Sequence, residues 1–296
     1  MTREPDSGRA SVLIEALPYI RKFQGAVIVI KYGGHAMVDE QLKRGFAEDV
    51  TLLKYVGFKP VVVHGGGPQI NDLLKRLNIQ SHFVEGQRFT DEATMDVVEM
   101  VLSGKVGKEI VGRIIQAGGQ AVGLSGKDAR LIEARRKRLA RAAPADSPPP
   151  EILDIGLVGE PTKINTAFLR HLTDSDVIPV IAPVGLGPDG ETYNINADSV
   201  AGALAGALKA EKLILLTDVA GVLDREGRLI EQIKAGEAAA LKRGGVISGG
   251  MIPKLECAAE AVAAGCRGTY IVDGRRPHAL LLELFTDRGC GTEIRP

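Results

Sequence analysis

The chain carries no net charge, because 37 lysines and arginines balance 37 aspartates and glutamates. That balance argues against nucleic acid or a membrane surface as the main partner. No apolar run approaches the roughly 20 residues that span a bilayer, and residues 1–9 are polar where a secretory leader would be apolar. Cysteine is scarce: Cys257, Cys266 and Cys290 make an odd number, in neither a C-x-x-C nor a zinc spacing. A reduced, cytoplasmic protein with no metal site of its own is expected. Familiar phosphate-binding signatures are missing as well. Gly126-Lys127 is followed by Asp128, and Ala121 stands where a G-x-x-x-x-G-K-[ST] loop needs its first glycine. A dinucleotide G-x-G-x-x-G, the protein-kinase Gly-rich loop and an H-R-D signature are absent too. Phosphate chemistry here must use another scaffold.

What is present is an alternation. The 296 residues, 45% of them hydrophobic, suffice for one large domain or two coupled lobes. Short β-branched runs at Val27–Lys31, Pro60–His64, Ala121–Leu124, Val177–Ile181, Lys212–Thr217 and Gly268–Val272 predict strands. Helical patterns cover Glu40–Val56, Gln69–Leu77, Thr90–Ala117, Ile164–Leu172, Ala197–Leu208 and Ile252–Ala264. Continuous apolar strands separated by helices predict an α/β fold with a mostly parallel sheet covered on both faces. In such sheets ligands bind beyond the carboxyl ends of the strands. Lys31, His64-Gly65 and Thr217-Asp218 all fall there. Two segments depart from the pattern. The charge run Glu133–Arg141 reads as a solvated face, and Ala142–Pro150, rich in Pro and Ala, as a loop tip. Ser11–Phe23 places Leu13, Leu17 and Ile20 on one helical face, which Pro18 should kink or end. That helix precedes the first strand and has no obvious core of its own, so another subunit is a natural partner.

Two lysines far apart in sequence each sit beside glycines. Lys31 is followed by Tyr32-Gly33-Gly34, and Lys254 closes Ser248-Gly249-Gly250-Met251-Ile252-Pro253-Lys254. Glycines let N–H groups approach an anion, and an ammonium beside them is a point charge for phosphate. The plain alternative for Lys31 is a strand-end lysine in solvent. His64-Gly65-Gly66-Gly67 is either a tight strand-to-helix connection or a nest of N–H groups at a helix start. His64 itself reads as structural or orienting, not as a base. Asn194, Asn196 and Asp198 precede a helix, where capping alone explains one of them. Alternation along an extended segment would aim Asn194 and Asn196 at one ligand. Asp198 between two lysines would fix their positions. Arg88 can hold a carboxylate bidentately or lie free on the surface.

These motifs, in this order, resemble those of the amino acid kinase family: Lys31–Gly34, His64–Gly67, Gly86-x-Arg88-x-Thr90, Asn194-x-Asn196-Ala197-Asp198, Leu215–Val219 and Gly249-Gly250-Met251-x-x-Lys254. The resemblance runs from about Ser11 to Thr292. It implies a three-layer α/β/α sandwich with an N-terminal helix (1–25), an amino-acid-binding N-lobe (26–185) and an ATP-binding C-lobe (186–296). It also implies that Lys31 and Lys254 stabilise a transferring phosphoryl group and that Asp198 organises them. Gly66, Gly67, Arg88, Asn194 and Asn196 would hold the acceptor. Gly33, Gly34, Thr217, Asp218, Gly249, Gly250 and Met251 would line the nucleotide pocket, with Mg²⁺ arriving on ATP. Within the family the chain resembles members that phosphorylate the γ-carboxylate of N-acetyl-L-glutamate in the second step of arginine biosynthesis. Its N-terminal helix and its 273–292 tail resemble those of the arginine-inhibited members, which form hexamers as trimers of dimers. Tyr19, His278, Glu283 and Gly289 are carried over as the arginine site. Other family members phosphorylate aspartate, glutamate, carbamate or UMP. A non-catalytic nucleotide sensor is the rival from another class, and retention of both lysines and the aspartate argues against it. The stretch Glu133–Pro150 is longer, more basic and richer in proline than the family usually has.

Overall fold

A computed structural model describes residues 6–140, 152–247 and 249–296. Eight strands form the main sheet, in the spatial order Gln232–Lys234, Thr292–Arg295, Thr269–Asp273, Lys212–Thr217, Val27–Tyr32, Lys59–His64, Ile178–Ala182 and Ala121–Ser125. All neighbours run parallel except Thr269–Asp273 with Thr292–Arg295. Each predicted strand exists, with ends shifted by a residue at most.

The central strands bury both of their faces. Ile28, Ile30, Val62, Val180, Ile214 and Leu216 pack into one apolar cluster, and Val29, Val61, Val63, Ile181, Leu213 and Leu215 into another. A period-two strand divides its side chains between two layers, so a continuous apolar run needs helices on each side. Glu40–Tyr55 and Gly107–Gln116 cover the first face, whereas Ala197–Leu208 and Met251–Ala263 cover the second. The result is a mixed α/β fold in three layers.

The structure corrects several sequence expectations. Four further strands, Ile132–Arg136, Val158–Ile164, Val184–Leu186 and Thr192–Ile195, close a small barrel beside the sheet. Six of the nine residues of the run read as a solvated face, 133–136 and 139–140, are therefore strand: Ala134 points inward, as does Ile132 just before the run, while Arg135 and Arg136 face solvent. A charge-rich sequence hides a strand when only alternate positions need be apolar. The expected loop tip Ala142–Pro150 lies outside the described residues. Thr90 and Asp91 do not belong to the following helix; Asp91 caps it by accepting from Thr94 N at 2.8 Å. That helix then runs through a π-helical stretch, Met100–Val106. Pro18 neither ends nor divides its helix, which spans Asp6–Phe23. Proline forfeits one bond to the carbonyl four residues back, and Ile14 there is 67% exposed, so water can take its place.

Candidate active site

A cleft of about 500 Å³ opens at the carboxyl ends of the central strands. Lys31 ends its strand with an ammonium 3.0 Å from Asp198 Oδ1. Lys254 reaches Asp198 Oδ2 at 3.4 Å from the opposite side. Asp198 is the second residue of the Ala197–Leu208 helix, and Lys254 stands in the first turn of the Met251–Ala263 helix. Two helix starts and a strand end thus converge on one carboxylate. Burial alone would raise Asp198, but the two ammonium groups outweigh it and hold the group below the usual carboxylate range. A thiol adds a further tie: Cys257, one turn beyond Lys254, donates from Sγ to the Asp198 carbonyl at 2.9 Å. Burial pushes that thiol up to about 12, so it stays neutral. No cysteine reading of the sequence anticipated this link.

Glycines shape the walls. A Cβ at Gly33 would lie 2.6 Å from Lys31 Nζ, so only glycine leaves the ammonium its place. Gly34 has φ +71° and its missing Cβ would collide with the Asp218 carboxylate, whose Oδ1 accepts from His35 N at 2.5 Å. Gly66 precedes the Gly67–Arg76 helix, whose first N–H groups have no partner within the helix. A Cβ on Gly66 would meet Leu102 Cδ2 at 2.5 Å, in the π-helical stretch. His64 is wholly buried, with Nδ1 2.9 Å from the Gly65 carbonyl, and burial lowers it to about 4. Neutral at ordinary pH, it lies against the glycine turn through that contact.

Arg88 and Asn194 line the same cleft. Arg88 is 8% exposed, donates to Ser81 and to Asn71 Oδ1 (2.6 Å), and lies 4.8 Å from the Phe83 ring centre. It is therefore neither free nor on the surface. Asn194 donates from Nδ2 to Thr90 Oγ1 at 3.2 Å. Asn196 lines the cleft too, but its Oδ1 caps the next helix, accepting from Asp198 N and Ser199 N at 2.8 and 3.2 Å.

The cleft brings Lys31, Gly33, Gly34, Gly66, Gly67, Arg88, Asn194, Asn196, Asp198 and Asp218 together. Lys254 joins through Asp198. Thr217 ends the strand just before Asp218, and Gly249, Gly250 and Met251 lead into the helix of Lys254. Among the described residues no group of three His, Cys, Asp or Glu side chains is placed to hold a metal. Tyr19, Glu283 and Gly289 line a second cavity of about 350 Å³, with Lys212. There Tyr19 donates to Asp287, and Glu283 accepts from Cys290 N at 2.8 Å. His278 does not join them. It lines a third cavity, of about 720 Å³, and its Nδ1 is 2.6 Å from Asp49 Oδ1. That cavity is the largest of the three, yet it lacks the lysines, glycines and strand ends that mark the cleft.

Residues 26–273 match the model of the amino acid kinase family. The chain is 58% identical over 293 residues to an acetylglutamate kinase of Syntrophus aciditrophicus, covering 99% of each chain. It is 59% identical to one of Syntrophobacter fumaroxidans, over 97% of this chain and 96% of that one. Among solved structures, N-acetylglutamate synthase of Neisseria gonorrhoeae, complexed with coenzyme A and N-acetyl-glutamate, superposes with a TM-score of 0.82 at 27% identity. The match covers 97% of this chain but 63% of that synthase. The chain belongs to the amino acid kinase family.

Proposed function

We propose that this chain is an acetylglutamate kinase, transferring the γ-phosphoryl group of MgATP to the γ-carboxylate of N-acetyl-L-glutamate in arginine biosynthesis. The observation that carries the reading is Asp198 braced between Lys31 and Lys254, at 3.0 and 3.4 Å, on a cleft that Arg88 and Asn194 also line. Identity of 58% along the whole chain to a protein of that name supports the substrate.

The chemistry suits these residues. A carboxylate is already a nucleophile at neutral pH, so no general base is required. One γ-carboxylate oxygen attacks the terminal phosphorus in line, the bond to the β-phosphate oxygen breaks, and ADP leaves with that electron pair. What the protein supplies is position and charge. Arg88 and Asn194 anchor the acceptor. N–H groups at Gly66 and Gly67 and the two ammonium groups meet the charge that builds on the phosphoryl oxygens. Asp198 keeps the lysines apart and aimed. Magnesium comes with the nucleotide as part of the substrate; Asp198 is taken up by lysines and Asp218 by His35 N. Thr217, Asp218 and Gly249–Met251 bind ATP in the C-lobe (186–296), and the N-lobe (26–185) binds the amino acid.

L-Arginine inhibits at the cavity of Tyr19, Glu283 and Gly289, where a buried carboxylate suits a guanidinium. The N-terminal helix joins dimers into a hexamer. Val12, Leu13 and Ile14 support this, since they are 64%, 71% and 67% exposed in the single chain. Arginine acts by favouring a ring in which the lobes stay open, which requires unequal affinity for the two states. The setting is cytoplasmic, in keeping with three free cysteines. Trapping of acyl phosphate by hydroxylamine tests the reading. Product should form with MgATP and N-acetyl-L-glutamate, not with free glutamate, and arginine should suppress it. Product from glutamate alone would reassign the acceptor, and product indifferent to arginine would remove the effector site.

A further inference from the structure

We propose that Thr90 is a positioning residue that sets the polarity of the Asn194 amide and ties it to Arg88. The inference rests on the reading that Arg88 and Asn194 hold the acceptor. Thr90 is 0% exposed, and its Oγ1 lies 3.0 Å from the Arg88 carbonyl and 3.2 Å from Asn194 Nδ2. A carbonyl oxygen can only accept, so the single hydroxyl proton goes to Arg88. What remains on Oγ1 is a lone pair, and only the NH₂ group of Asn194 can meet it. With the amide reversed, two acceptors would face each other with no proton between them. The planar amide then carries Oδ1 on the side away from Thr90, and no described residue donates to that oxygen.

Thr90 is itself held firmly. Its N–H donates to the Ile155 carbonyl at 3.1 Å and its carbonyl accepts from Leu157 N at 2.6 Å, while Asn194 N donates to the Leu157 carbonyl at 2.9 Å. One short segment, residues 155–157, therefore clamps the backbones of Thr90 and Asn194 together. The arrangement presents an acceptor oxygen to the cleft, which matches the N–H of an acylated amine. Reversal of the amide would present an NH₂ group to that N–H, donor against donor.

Thr90→Val keeps the shape and deletes the relay. We expect KM for N-acetyl-L-glutamate to rise about tenfold, with KM for MgATP and kcat within about twofold of wild type. Thr90→Ser should restore the acceptor KM. On an Asn194→Ala background Thr90→Val should add almost nothing, because the two act as one unit. A further readout needs no variant: deuterium exchange at the Asn194 side-chain amide of the intact enzyme should be slow. An unchanged acceptor KM in Thr90→Val, additive effects with Asn194→Ala, or exchange as fast as at an exposed asparagine each overturns the assignment. If wild-type enzyme makes no acyl phosphate from N-acetyl-L-glutamate, the functional reading falls first, and that failure is visible without any Thr90 variant.

Discussion

Asp198 and Asp49 are both buried carboxylates, 7% and 2% exposed, yet they carry opposite shifts. Burial raises Asp49 to about 6, and its one partner, His278, only moderates the rise. Burial acts on Asp198 in the same direction, but two lysines reverse it. The number of cationic partners, more than depth, decides whether a buried carboxylate is a fixed charge or a titrating one. A transfer site gains from the first kind, because its charge pattern must not change while phosphate arrives and leaves. The neighbourhood of His278 holds the second kind.

The largest effect should come from breaking the Asp198 arrangement. Lys31→Ala or Lys254→Ala should lower kcat about a thousandfold, the usual scale for removing charge stabilisation from a transition state. Either variant also leaves Asp198 with one cation, as Asp49 has. Its pKa should then rise, and the residual activity should acquire a pH dependence in the acid range that wild type lacks. Arg88→Ala gives the contrast, raising acceptor KM about tenfold or more with a smaller change in kcat. Steady-state kinetics across pH checks all three; equal kcat losses in the lysine and Arg88 variants would erase the distinction between transfer and anchoring roles.

Much of this site was legible before any coordinates. Apolar runs ending in Lys31, His64 and Thr217 place those residues at strand ends, and glycines mark where an anion approaches. The hidden part lies where signals are weak or shared. Glu133–Arg136 reads as solvated because a barrel strand needs apolar side chains at only half of its positions. Cys257 resembles any buried helix cysteine, and its bond to the Asp198 carbonyl depends on how two helices cross. Thr90 stands in a recognisable motif, but its partners come from residues 88 and 194, a pairing that tertiary structure alone creates. His278 is carried over by the resemblance alone, with Tyr19, Glu283 and Gly289; at the start of the Ala279–Leu284 helix its ring meets Asp49, a contact that its sequence neighbours do not announce.

A middling effect should separate the two carboxylates by pH. Folding raises Asp49 above its unfolded value, so its contribution to stability is fully present below about pH 4 and is lost as pH climbs through about 6. His278 is raised too, by its hydrogen bond to Asp49, and its contribution fades as pH rises beyond its ordinary value. Both slopes have the same sign. Asp49→Asn removes them together, so the variant should gain on wild type in Tm as pH is raised from about 4 to about 7. Calorimetry at several pH values reads this difference, and parallel Tm curves for the two proteins would refute the account. An Asp198→Asn pair measured alongside should slope the other way. Its wild-type carboxylate is lowered, so stability there is lost as pH falls.

The smallest effect concerns Asn196, which both caps a helix and lines the cleft. Its Oδ1 is already taken by Asp198 N and Ser199 N, so only Nδ2 is left for a ligand. Asn196→Ala deletes both roles and should cost about 1 kcal/mol of stability, or about 3 °C in Tm for a chain of this size. Serine caps nearly as well as asparagine but carries no amide. Asn196→Ser should therefore recover the Tm, while acceptor KM stays raised about threefold, the scale of one weak neutral hydrogen bond. Recovery of KM along with Tm would make Asn196 a cap and nothing more. In that case the only thing it gives the chemistry is the placement of Asp198, two residues on, at the start of the helix it caps.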